Sequence, residues 1–97
     1  MFADMLPSIF KVKDRSMLPS IPENSYVLTM KRKELKIGDV VVAMHPYNNM
    51  KIVKRVALCD ENGIFLIGDN LDESTDSRTF GQISHTGILG KVVFVVN

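Results

Sequence analysis

The feature that most constrains this chain is a series of short apolar runs, rich in Val and Ile, each closed off by turn-forming residues. Period-two or continuous runs of this length suit strands rather than helices. Six are expected, at residues 9–13, 26–30, 40–44, 51–58, 64–67 and 88–96. Pro46-Tyr47-Asn48-Asn49 and Asp60-Glu61-Asn62-Gly63 are turn formers, so the third, fourth and fifth strands are expected to run as consecutive hairpins. Helix is expected only in short turns, for instance near residues 32–35. From Gly68 to Gly87 the pattern breaks into a long polar stretch, and a loop of that length in a compact domain is either disordered or functional. The fold expected is mainly β: a single small domain over residues 1–97 whose antiparallel strands make a partly open coiled sheet or half-barrel. The long polar loop would carry functional residues, and residues 1–8 would be a flexible N-terminal segment.

Ninety-seven residues fit one core, and 45% apolar with 24% charged residues is ordinary for a globular chain. Twelve basic residues against eleven acidic leave a net charge of +1, too little for the cationic field that holds a phosphate backbone, so nucleic acid is not an expected partner. The basic cluster Lys31-Arg32-Lys33 with Lys36 reads as a solvated turn. The single Cys59 has neither a disulfide partner nor metal-ligand spacing and fits a packed thiol in a reducing compartment. No apolar run approaches the roughly 18 residues of a membrane span, and the first ten residues lack a basic leader. A cytoplasmic setting is therefore expected, with attachment at the membrane periphery as the alternative. No metal or cofactor is expected, and the oligomeric state is left open.

G-x-S-x-G, H-E-x-x-H, P-loop and G-x-G-x-x-G motifs are absent. His45 precedes a turn proline and His85 lies in a polar loop, so neither stands out as a catalytic base. Ser8-Ile9-Phe10-Lys11 matches S-x-x-K, a spacing that works on a helix, but here it runs into a strand. Three blocks remain: Asp14-Arg15-Ser16-Met17-Leu18-Pro19, Val53-Lys54-Arg55-Val56, and Gly68-Asp69-Asn70-Leu71-Asp72-Glu73-Ser74-Thr75-Asp76-Ser77-Arg78-Thr79-Phe80-Gly81. In order and spacing they resemble the serine-lysine peptidases of the type I signal peptidase family. With Gly38-Asp39-Val40-Val41 the resemblance runs from about residue 12 to residue 92. Within that family, the soluble maturation proteases of nickel-type superoxide dismutase look closest, on 38–46, 74–81 and Gly90-Lys91-Val92.

The resemblance implies a serine endopeptidase with Ser16 as nucleophile and Lys54 as general base, removing an N-terminal extension from a nickel superoxide dismutase precursor. The nickel would belong to the substrate. It also implies that the Ser74 hydroxyl orients the lysine amine, that Asp76 with Arg78 and Asp69 with Arg55 brace the site as ion pairs, and that Met17 lines the substrate cleft. Gly68 would let the backbone approach the lysine. The chain departs from the family at Asp14, where Ser or Gly is usual and where a carboxylate cannot donate to an oxyanion. A second departure is Asn24-Ser25, where Gly-Asp is common; it alters a turn.

The residue types suit this chemistry. A serine needs a base within hydrogen-bond reach, and a lysine serves only when desolvated. With a reference pKa near 10.4, about one lysine in 2,500 is neutral at pH 7, a cost of roughly 4.6 kcal/mol; burial lowers a lysine by about 3–5 units. Strand alternation sets Lys54 beside Ile52 and Val56, while Arg55 shares the other face with Val53 and Ala57. Taken singly, each residue has a plainer reading: Lys54 as a snorkelling strand lysine, Ser16 as a loop serine, Ser74 as a turn residue, Met17 as core filler. Three alternatives stand beside the resemblance. The chain fits a signal peptidase catalytic domain acting on exported proteins, or a non-catalytic β-domain that binds peptides along a strand edge. A self-cleaving repressor-type Ser/Lys protease is a third, for whose DNA-binding segment and cleavage site no room is expected.

Overall fold

A computed structural model describes residues 6–31 and 34–97. It contains six strands: β1 (Ser8–Lys11), β2 (Tyr26–Met30), β3 (Val40–Met44), β4 (Lys51–Asp60), β5 (Gly63–Ile67) and β6 (Ile88–Val96). Three of the six match the expected bounds. β1 begins and ends earlier than expected because Val12 leaves the ladder, its N–H donating to the Ser25 carbonyl at 2.8 Å. Ser8, the last residue of the expected N-terminal segment, opens β1, and residues 1–5 lie outside the described residues. β4 runs two residues further because Asp60 faces Gly63 across the hairpin; the Asp60 carboxylate accepts from the N–H groups of Asn62 and Gly63 and closes the turn. The turn expected near residues 32–35 falls partly outside the described residues, and Glu34 and Leu35 are irregular.

All strand pairs are antiparallel, in the order β1-β2-β6-β3-β4-β5. The two consecutive hairpins β3–β4 and β4–β5 are as read from the turns. Insertion of β6 between β2 and β3 closes the sheet around a pairing distant in sequence. Register shifts interrupt three ladders, between Leu28 and Thr29, Val42 and Ala43, and Val56 and Leu58. Bulges of this kind raise the local twist, and here the sheet curls into a half-barrel that brings β1 opposite the start of β4, with Lys51 Nζ 5.9 Å from the Phe10 ring centre.

Alternation on β3 divides the core. Val41 and Ala43 join Ile52, Val56, Ile64, Leu66 and Ile83 in one apolar cluster, whereas Val42 joins Val12, Met17, Ile21 and Val27 in the other. The 68–87 stretch, read as an irregular polar loop, has more order than expected. A 3-10 turn (Leu71–Glu73), a short helix α1 (Ser77–Phe80) and a second 3-10 turn (His85–Gly87) occupy it. Ile83 pins its end to Ile64 through an isolated bridge.

Candidate active site

The segment bearing Ser16 is held from both ends. Buried Val12, Met17 and Ile21 anchor it in the second core cluster. Backbone bonds from Leu18 N–H to Arg15 O and from Ile21 N–H to Met17 O coil it between them. Its far end returns to β1 through Asn24, whose φ of +71° lies in the left-handed region that glycine favours and asparagine tolerates. The Asn24-Ser25 departure therefore keeps the backbone shape that a glycine would adopt there. From across the molecule, Asn70 donates its backbone N–H to the Ser16 carbonyl at 2.8 Å and its side-chain amide to the Arg15 carbonyl at 3.0 Å.

Lys54 lies in the middle of β4, on the same face as buried Ile52 and Val56, and its strand partner is Val41. The residue is 2% exposed and Ser16 is 1% exposed. Lys54 Nζ is 2.8 Å from Ser16 Oγ, although 38 positions separate the residues. Burial pushes the amine below its ordinary pKa, against the opposing pull of the Asp14 and Asp76 carboxylates. The Ser16 hydroxyl donates to Asp14 Oδ1 at 2.8 Å, and the same oxygen accepts the Ser16 backbone N–H at 3.1 Å.

Asp76 forms the other flank. Its side chain is fully buried and accepts from Ser74 Oγ (2.6 Å), the Gly68 N–H (2.9 Å), the Arg78 N–H (3.1 Å) and the Arg78 guanidinium (2.9 Å). Burial opposes the charged form, but the bonds from Arg78, Ser74 and the backbone outweigh it and bring the carboxyl down to about 2. The hydrogen bond of the Ser74 hydroxyl thus goes to Asp76, and Lys54 is not among its partners. Gly68 is required by close approach: a Cβ there would sit against the Ser74 hydroxyl and 2.6 Å from the Ser16 carbonyl oxygen. The three nearest atoms belong to the two serines.

Arg55, on the opposite face of β4, makes a forked pair with Asp69 at 2.8 Å, and Asp69 also accepts from Ser20. The bond from Arg55 holds the Asp69 carboxyl below the usual carboxylate range. Met17, expected to line a cleft, is 0% exposed and packs with Val12, Ile21, Val27 and Val42 beneath Ser16. Asn70, Ser20 and Glu73 lie in or beside the motifs, and the sequence pattern assigns them no role. Asn70 clasps the serine segment, and Glu73 pairs with Arg15 at 3.2 Å. Only the N in the G-D-N motif hinted at this. The histidines stand apart: His45 Nδ1 accepts from two turn N–H groups, and His85 Nε2 meets the Asp60 carbonyl. Among the described residues, no three His, Cys, Asp or Glu side chains cluster as metal ligands.

A cleft of about 580 Å³ runs up to Asp14, with Phe10 and Val12 on one wall and Val42, Ile52 and Val53 on the other. Asp14, which accepts the Ser16 hydroxyl hydrogen bond, is among its lining residues. No helix among the described residues is long and apolar enough to cross a membrane. No curated protein matches the chain. A family match does: the Peptidase S24-like family covers residues 7–93. That match identifies a peptidase family and does not single out a signal peptidase or a maturation protease. It takes in almost the whole length of the sheet and both loops around Lys54, and on it the chain belongs to the Peptidase S24-like family, whose substrates are peptides or proteins.

Proposed function

We propose that the protein is a serine endopeptidase in which Ser16 attacks the scissile carbonyl and Lys54 takes the serine proton. The observation that carries this reading is the 2.8 Å contact between Lys54 Nζ and Ser16 Oγ in a setting where both residues are almost wholly buried. An amine removed from water favours its neutral form, and only that form can accept a proton. In the first step a bond forms from Ser16 Oγ to the carbonyl carbon while the hydroxyl proton passes to Lys54 Nζ. The resulting ammonium then protonates the leaving amine as the peptide C–N bond breaks. A water, deprotonated by the same amine, releases the acyl group from Ser16. The Ser16 backbone N–H, which donates to Asp14 at rest, would serve as a donor to the developing oxyanion.

The substrate reading, an N-terminal extension on a nickel superoxide dismutase precursor, is supported by the resemblance at 38–46, 74–81 and Gly90-Lys91-Val92. An extended peptide would lie in the cleft along β1, which is an edge strand with a free side. Incubation with that precursor and, separately, with a secretory preprotein tests this choice; cleavage of the second alone would point to a signal peptidase. Ser16→Ala and Lys54→Ala are expected to reduce cleavage by roughly 10⁴-fold or more. Wild-type processing by either variant would end the dyad reading. Because the neutral amine is the reactive form, kcat/KM should rise with pH through the lowered pKa of Lys54 and then level off.

A further inference from the structure

The hydroxyl of Ser16 has one proton, and the structure commits it to Asp14. A carboxylate has no proton to give, so the 2.8 Å contact between Ser16 Oγ and Asp14 Oδ1 is a bond donated by the serine. The 2.8 Å contact to Lys54 Nζ is then donated by the amine. Hydrogen bonds therefore run from Lys54 to Ser16 to Asp14, the opposite sense from proton abstraction by the amine. The same Asp14 oxygen also occupies the Ser16 backbone N–H, at 3.1 Å. Ser16 is 1% exposed, whereas Asp14 is exposed and lines the cleft, which Ser16 does not. A group in the cleft can therefore touch the Asp14 carboxylate while the serine is still covered.

We propose that Asp14 is a positioning residue that latches the nucleophile at rest: its carboxylate holds the Ser16 hydroxyl proton and N–H, and an incoming peptide carbonyl must displace it. The proposal rests on the Ser16/Lys54 reading above. When Asp14 turns out to solvent, three things change together. The Ser16 N–H becomes free for the substrate oxygen. The serine proton can swing to Lys54 Nζ. The amine loses a nearby negative charge, so any proton in excess on it is released to water. The charged groups acting on Lys54 are Asp14, from the connection between β1 and β2, and Asp76, from the 68–87 loop, whose charge is matched by Arg78. Lys11, Lys13 and Lys51 line the same cleft and favour the outward position of Asp14.

The test follows Lys54 directly, by NMR titration of protein labelled with ¹³C at the lysine Cε, alongside acetylation of Ser16 by p-nitrophenyl acetate mapped by mass spectrometry. In Asp14→Asn the Lys54 titration should move to lower pH by roughly one unit. In Asp14→Ser, acetylation of Ser16 at a pH well below the measured Lys54 titration midpoints should be faster than in wild type, by about tenfold for each unit the titration moves. A purely structural role for Asp14 would move neither. An unchanged Lys54 titration with Ser16 still acetylated, or slower acetylation in a folded Asp14→Ser protein, overturns the latch alone. No acetyl group on Ser16 in any variant overturns the dyad reading and the latch with it.

Discussion

Two carboxylates flank the Lys54 amine and are held in opposite ways. Asp76 is fully buried and receives hydrogen bonds from Ser74, Gly68 and Arg78, a set that brings its pKa to about 2. Asp14 is exposed and is tied to the serine it would have to release. The first is built into the fold, because removing it would leave buried donors without partners. The second costs little to move, since water can replace what it loses. One site therefore contains a fixed negative charge that positions the loop and a displaceable one at the entrance.

The contrast can be broken most directly at Asp76. Asp76→Ala should cost about 3 kcal/mol, because the Ser74 hydroxyl and the buried Gly68 N–H lose their acceptor, lowering Tm by roughly 12 °C or more in a domain of this size. A thermal melt of Asp14→Asn that fell as far would erase the distinction. Gly68→Ala should follow, at about 1–3 kcal/mol, because the new methyl meets atoms of Ser74 and the Ser16 carbonyl on both sides; a melt unchanged by it would mean the loop can shift. Titration separates the flanks further. Asp76 binds a proton less readily folded than unfolded, so its stabilisation is complete above about pH 4 and is lost as pH falls from about 4 towards about 2. Lys54 also binds its proton less readily when folded, so stability should rise with pH from its lowered pKa up to about 10.5. Denaturant unfolding across pH should lose that upper slope in Lys54→Met. The smallest effect belongs to Arg15→Ala: its pair with Glu73 is 57% and 49% exposed, and its loss should leave the thermal melt indistinguishable from wild type.

Strand positions were the most legible part of the sequence. β2, β3 and β6 fall on their expected residues, and β4 and β5 differ from theirs only at the hairpin that joins them. Errors occur where a long-range bond competes with local pattern: Val12 is apolar and extended, yet its N–H belongs to Ser25. The interior of 68–87 was less legible, because its order comes from Asp76 acting as a hub, and a hub is defined by partners. Asp14 was noticed as a residue that cannot donate to an oxyanion. Its bond to the serine beside it was not, since that depends on a side-chain rotamer. Ser74 and Met17 make the same point, with a hydroxyl turned to Asp76 and a thioether turned into the core.

By itself the sequence determined the strand periods, the two hairpins and the face of β4 that Lys54 shares with Ile52 and Val56. Backbone geometry and side-chain alternation act over a few residues, so a local pattern contains them. Only the tertiary structure decided that β6 enters between β2 and β3, that the sheet curls to bring residue 16 against residue 54, and which carboxylate is sealed and which can move. Burial and hydrogen-bond partnership arise from groups far apart in the chain, and no local pattern specifies which of them will meet.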